Sequence, residues 1–127
     1  MVERNSIQSK LIKEFCIVPP STLPTCHASS ICELPNGDLL ACCYAGEQEG
    51  APDQVILGAR YQRKNGQWSS PQVWVHVAHR ATCNPRVFMG PEPEATWLLA
   101  PVNYGNRWCS GDTLLFLKRS FDGGHHW

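Results

Sequence analysis

The last eight residues, Ser120-Phe121-Asp122-Gly123-Gly124-His125-His126-Trp127, constrain the fold more than any other stretch. Ser and Asp side chains bond the amides of a turn, Gly takes a positive φ at no steric cost, and Trp has the area to pin a turn to a sheet face. The spacing Ser-x-Asp-x-Gly-x-x-Trp therefore predicts a tight polar turn. An ordinary Asp-Gly-Gly hairpin turn uses the same residues, so the meaning of this one depends on what precedes it.

What precedes it is a repeated unit. Ser30–Leu34 and Leu39–Tyr44 flank Pro35-Asn36-Gly37-Asp38, and Asn-Gly between apolar runs predicts a hairpin with a type I′ turn. The run through Cys42 and Cys43 is apolar on both faces, as in a strand buried between stacked sheets. Gln54–Tyr61 reads as a third strand, Arg63–Trp68 as a turn and Pro71–Val77 as a fourth strand. Pro85–Met89, the turn at 90–94, Thr96–Val102 and Thr113–Arg119 repeat the order and lead into the final turn. Gly37 precedes Trp68 by 31 residues and Glu94 precedes Trp127 by 33, so the two units match in length. Tyr61–Trp68 then holds the place of the final turn in the first unit, with its Trp kept and its Ser and Asp gone. Four sequential antiparallel strands make one propeller blade, and tandem repetition is the signature of that architecture.

Composition excludes several partners. The chain has 127 residues, 11 basic and 11 acidic, which gives no electrostatic case for nucleic acid or an anionic membrane. No run is apolar enough to span a bilayer. The stretch from Met1 to Glu14 lacks the apolar segment of a signal peptide, so a cytoplasmic location is expected. Residues 1–24 read as a polar extension with one possible strand at Glu14–Val18, closed by Pro19-Pro20. Seven cysteines without a Cys-x-x-Cys pair argue for reduced, structural thiols and against zinc; a disulfide scaffold is the alternative. No metal or other cofactor is expected.

With both units placed, residues 25–127 resemble the start of a sialidase-like BNR-repeat β-propeller of the predicted-neuraminidase branch, and Ser120–Trp127 resembles its Asp-box with His126 in place of Thr. The resemblance rests on His27-Ala28-Ser29-Ser30-Ile31, Leu34-Pro35-Asn36-Gly37-Asp38-Leu39-Leu40, Glu49-Gly50-Ala51-Pro52-Asp53 and Asn84-Pro85 taken together. It implies an all-β fold of about two four-stranded antiparallel blades, the first near residues 25–80 and an incomplete second near 84–127. It also implies an N-terminal part of a glycoside-hydrolysing enzyme, inactive as this piece, with a glycan or glycoside substrate. Missing blades, or self-association, would cover the open edge at Leu114–Arg119. A non-catalytic carbohydrate- or protein-binding segment is the alternative. The family's tyrosine nucleophile, its glutamate partner and two of three carboxylate-binding arginines belong to later blades. Where the first arginine belongs, this chain has His27-Ala28-Ser29, and imidazole does not offer the bidentate, permanent charge of guanidinium.

The resemblance places the acid/base aspartate at Asp53, where a buried carboxyl would donate a proton to a leaving oxygen. The same residue also fits a solvated strand cap. Glu47 and Glu49 share its loop, as candidate substrate-binding carboxylates or as a solvated pair. His27 precedes the first inner strand and either hydrogen-bonds a sugar or serves structure. Asn84, expected to be extended before Pro85, and Arg86 open the second inner strand as further substrate-binding candidates. Trp74, Trp97 and Trp108 either stack on sugar or pack between sheets. His125 and His126 lack a third ligand for a metal.

Overall fold

The computed structural model describes residue 17 and residues 23–106 and 111–127. The expected strand at Glu14–Val18 lies, Ile17 apart, outside the described residues, as do Trp108 and Cys109. The described residues form strands β1 (Thr25–Glu33), β2 (Leu39–Gly46), β3 (Val55–Gln62), β4 (Gln67–Trp68), β5 (Gln72–Val75), β6 (Arg86–Met89), β7 (Thr96–Asn103) and β8 (Thr113–Ser120). Every pairing between them is antiparallel. The architecture is all-β: one sheet runs β1-β2-β3 with both β4 and β5 on the outer edge of β3, and the other runs β6-β7-β8.

The outer strand of the first sheet is thus a strand in two pieces. Ser69, Ser70 and Pro71 divide β4 from β5, and Pro71 has no amide to give a ladder. Ser69 bridges the break by donating its amide to the Arg60 carbonyl, while its hydroxyl accepts from the Arg60 amide. Gln54, expected to open β3, lies in the preceding loop and is fully buried.

The first hairpin forms, but its turn is not type I′. Gly37 N–H donates to the Leu34 carbonyl and Leu34 N–H to the Asp38 carbonyl, each at 2.8 Å. Gly37 has φ +81, whereas Asn36 is not among the non-glycine residues with positive φ. Pro35 accounts for the difference, because its ring fixes a negative φ at the first turn position. The result is a three-residue loop closed by a glycine bulge.

The sheets stack through alternating side chains. Leu40, Cys42, Ile56 and Trp74 of the first sheet meet Val87, Leu98 and Ala100 of the second in one buried cluster. At ~25 cal/mol per Å² of apolar surface, such an interface is the largest stabilising term available to the pair. Inner strand β6 lies beside inner strand β1, where the Val87 amide donates to Ser30 Oγ at 3.1 Å. Farther out, Lys118 Nζ donates to the Trp74 carbonyl at 2.8 Å.

The closing turn has the geometry its spacing predicts. Ser120 Oγ donates to Asp122 Oδ1 and accepts from the Gly124 amide at 2.8 Å. Asp122 Oδ1 accepts from the amides of His125 and His126, both at 3.0 Å. Gly123 and Gly124 both have positive φ. Trp127 swings back onto Trp74, ring centroids 5.0 Å apart, so the turn is clamped to the neighbouring sheet. In the first unit the equivalent stretch keeps only the aromatic anchor, with Trp68 against Tyr61 at 5.5 Å.

Candidate functional site

Strand direction sorts the chain into two ends. The hairpin turns at 34–38 and 90–95 and the Ser120–Trp127 turn share one end. The starts of β1 and β6, the loop 47–54 and the linker 76–85 share the other, since Thr25 pairs Gly46, Ala45 pairs Val55 and Thr82 bridges Val102. All six sequence-predicted site residues sit at this second end.

Both inner strands begin with a register slip. In β1, His27 pairs Tyr44 but Ser30 pairs Cys42, leaving one extra residue that Ala28 absorbs with φ +51. On entry to β6, Thr82 pairs Val102 but Arg86 pairs Leu99, again with one extra residue. Asn84 absorbs that one with φ +33. The extended geometry expected of Asn84 before proline is therefore not adopted; the side chain best suited to a left-handed backbone takes the bulge instead. Bulges of this kind re-aim side chains, and here they flank His27, Asn84 and Arg86.

His27 is exposed and stacks on Tyr44, with centroids 5.6 Å apart and planes 9° from parallel. The buried Tyr44 donates its hydroxyl to Glu49 Oε1 at 2.9 Å. His27 and Glu49 are thus joined through Tyr44, which in the sequence is the end of an apolar run. Its signal was its register opposite His27.

The loop is built tightly. Ala51 N–H reaches the Gln48 carbonyl, Gln54 N–H reaches the Ala51 carbonyl, and the Gly50 amide donates to Gln54 Oε1. Thr82 Oγ1 donates to the Gln54 carbonyl at 3.0 Å and ties the loop to the linker between the sheets. Asp53 is exposed, and its Oδ2 accepts from the Glu47 amide at 2.9 Å. The two carboxylate residues therefore meet through a cap at the loop's base.

Arg86 is exposed and donates to the Pro85 carbonyl. Burial pushes the Cys42 thiol up to about 12, and the charge of Arg86 works against that rise. Arg80, unmarked in the sequence, adds a second cation at this end, lying over the Tyr104 ring and donating to the Tyr104 carbonyl.

Trp74 is buried against Trp127, and Trp97 donates Nε1–H to Glu92 at the turn end, so both serve packing away from this site. His126 is occupied by Asp122, 2.6 Å away. Among the described residues no cluster of three or more His, Cys, Asp or Glu could hold a metal ion.

No curated protein matches the chain. Among solved structures, the Hadza microbial sialidase Hz136 matches with a TM-score of 0.69 at 14% identity, over 84% of this chain and 25% of that one. The chain therefore spans about a quarter of that sialidase's length, and at this identity the likeness concerns the fold: stacked antiparallel sheets of a sialidase propeller. A family model described as a BNR repeat-like domain matches residues 37–127, from the first hairpin turn to the Trp that closes the Asp-box. By that match the chain belongs to the BNR repeat-like domain family.

Proposed function

We propose that this chain supplies the opening blades of a sialidase-like glycoside-acting enzyme and has no turnover by itself. The observation that carries the reading is the pair of inner-strand bulges, which bring His27, Asn84 and Arg86 to the end that also holds the Glu47–Asp53 loop. A glycoside at this end would meet a stacked imidazole, an oriented Glu49 carboxylate and the Arg86 guanidinium. Asp53 is the proton donor to the leaving oxygen, once further blades cover it, and the nucleophile comes from those blades.

Apolar faces support a need for further blades. Leu99, Leu115 and Leu117 share the face of the second sheet turned away from the first, and Leu115 is 62% exposed. Ile31 and Val73 lie on the opposite outer face of the first sheet, also exposed.

The test assays the protein with a closed ring on a panel of aryl glycosides, beside its Asp53→Asn and Glu49→Gln variants and the 127-residue chain. Turnover by the larger protein alone, lost in Asp53→Asn, is the expected result. Glycan binding without turnover would establish a non-catalytic binding segment instead. The engagement of Asp53 as a loop cap is the observation that favours this second reading.

A further inference from the structure

Cys26 and Cys43 meet across the β1 bulge with their sulfurs 2.9 Å apart, against ~2.05 Å in a formed disulfide. The bulge produces this approach. Cys26 pairs with Ala45, and on the β1 side Cys43 lies opposite the bulge at Ala28–Ser29, between the His27–Tyr44 and Ser30–Cys42 pairs. Both side chains lie on the sheet face that Leu57 and Ala45 share. Cys42, though adjacent in sequence, points to the other face, into the cluster between the sheets.

The two thiols are unequal. Cys26 is exposed, while Cys43 is only 6% exposed. Burial, reinforced by the hydrogen bond and charge interaction with Cys26, pushes the Cys43 thiol well up. A soluble oxidant therefore reaches Cys26 first, and Cys43 stands where a resolving thiol is needed.

We propose that Cys26 and Cys43 form a reversible, peroxide-driven disulfide that locks β1 to β2 at the bulge beside His27. Hydrogen peroxide is the oxidant. The Cys26 thiolate attacks one peroxide oxygen, the O–O bond breaks, and Cys26 becomes a sulfenic acid as the departing hydroxide takes up the proton the Cys26 thiol had lost, leaving as water. The Cys43 sulfur then attacks the Cys26 sulfur, the S–O bond breaks, and the departing hydroxide takes the Cys43 proton as a second water. One peroxide is reduced to two waters and two thiols lose two hydrogens; an added dithiol reverses the crosslink.

The test exposes the 127-residue chain to graded hydrogen peroxide, blocks remaining thiols with iodoacetamide and reads intact mass. Cleavage after glutamate then separates Cys26 from Cys43, because Glu33 lies between them. The expected product has lost two hydrogens, links the peptide ending at Glu33 to the peptide ending at Glu47, and returns to the reduced mass with dithiothreitol. Cys26→Ser abolishes it; Cys32→Ser and Cys42→Ser keep it. A crosslink that survives in Cys26→Ser, one that uses Cys16 or Cys109, or oxidation of Cys26 to the sulfinic acid with no crosslink would overturn the proposal. Cys26→Ser changes an exposed side chain and Cys43→Ser a buried one, so the first is the variant whose result is read.

Discussion

Arg60 and Asp38 pair within the first sheet, their Nη2 and Oδ2 atoms 2.7 Å apart. The same guanidinium donates Nη1–H to the Gly123 carbonyl at 2.7 Å, inside the Asp-box turn of the other sheet. Arg60 sits toward the C-terminal end of β3, largely buried, so one side chain ties the first hairpin to the closing turn. Arg60→Lys keeps the charge but cannot make both contacts from a single ammonium. A loss of about 2 kcal/mol is expected, the scale of a buried hydrogen bond to a charged group. Urea unfolding midpoints of Arg60→Lys, Arg60→Met and the unaltered chain check it; an unchanged midpoint would show the bridge to be incidental.

The same contact sets a pH dependence. The Arg60 guanidinium, and after it the Arg63 amide, hold the Asp38 carboxyl below the usual carboxylate range. Asp122 is lowered too, chiefly by the His126 amide and then by Ser120 and the His126 ring. A carboxyl depressed by folding contributes stability above its unfolded pKa of ~3.9 and loses it as pH falls through the folded value. Stability should therefore decline on acidification below about pH 4. Asp38→Asn should be less stable than the unaltered chain near neutrality, with the gap closing in acid; a gap that is constant across the titration contradicts the assignment.

Gly58 is a packing requirement. A Cβ built there would lie 2.1 Å from the ring atoms of Trp74, which is buried between the sheets. Gly58→Ala must push Trp74 off Trp127 or bend β3, and overpacking of this kind costs about 1–3 kcal/mol. Tryptophan fluorescence should shift to the red together with the lost stability. A stable variant with unshifted emission would mean that the ring has room to move.

These residues also mark what the sequence made legible. The Asp-box could be read directly, because Ser120, Asp122, Gly124 and His125 bond one another within a few residues. The hairpins followed from alternation and turn residues for the same local reason. Arg60 could not be read, since its partners lie 22 and 63 residues away and only the stacking of the sheets brings them together. The bulges were hidden as well: Ala28 takes a positive φ with no glycine to announce it. Asn84 carried a misleading signal, because the rule for residues before proline outweighed its own tolerance of left-handed backbone. Tyr44 was concealed by an apolar neighbourhood that explained it as core.

Tyr44 gives the sharpest test of the candidate site. Its ring supports His27 and its hydroxyl fixes Glu49, so the two contacts can be separated by chemistry. Tyr44→Phe keeps the stack and the buried ring but removes the donor. The stability cost should be about 1 kcal/mol, while Glu49 loses its orientation toward any bound glycoside. In the ring-closed protein, glycoside turnover or glycan affinity should fall by about tenfold, the equivalent of ~1.4 kcal/mol. Glu49→Gln retains an acceptor oxygen for the tyrosine and should lose less affinity than Glu49→Ala. If Tyr44→Phe lowers only the unfolding midpoint and leaves glycoside binding and turnover intact, the His27–Tyr44–Glu49 chain is a structural strut of the first blade and the binding site lies elsewhere on the ring.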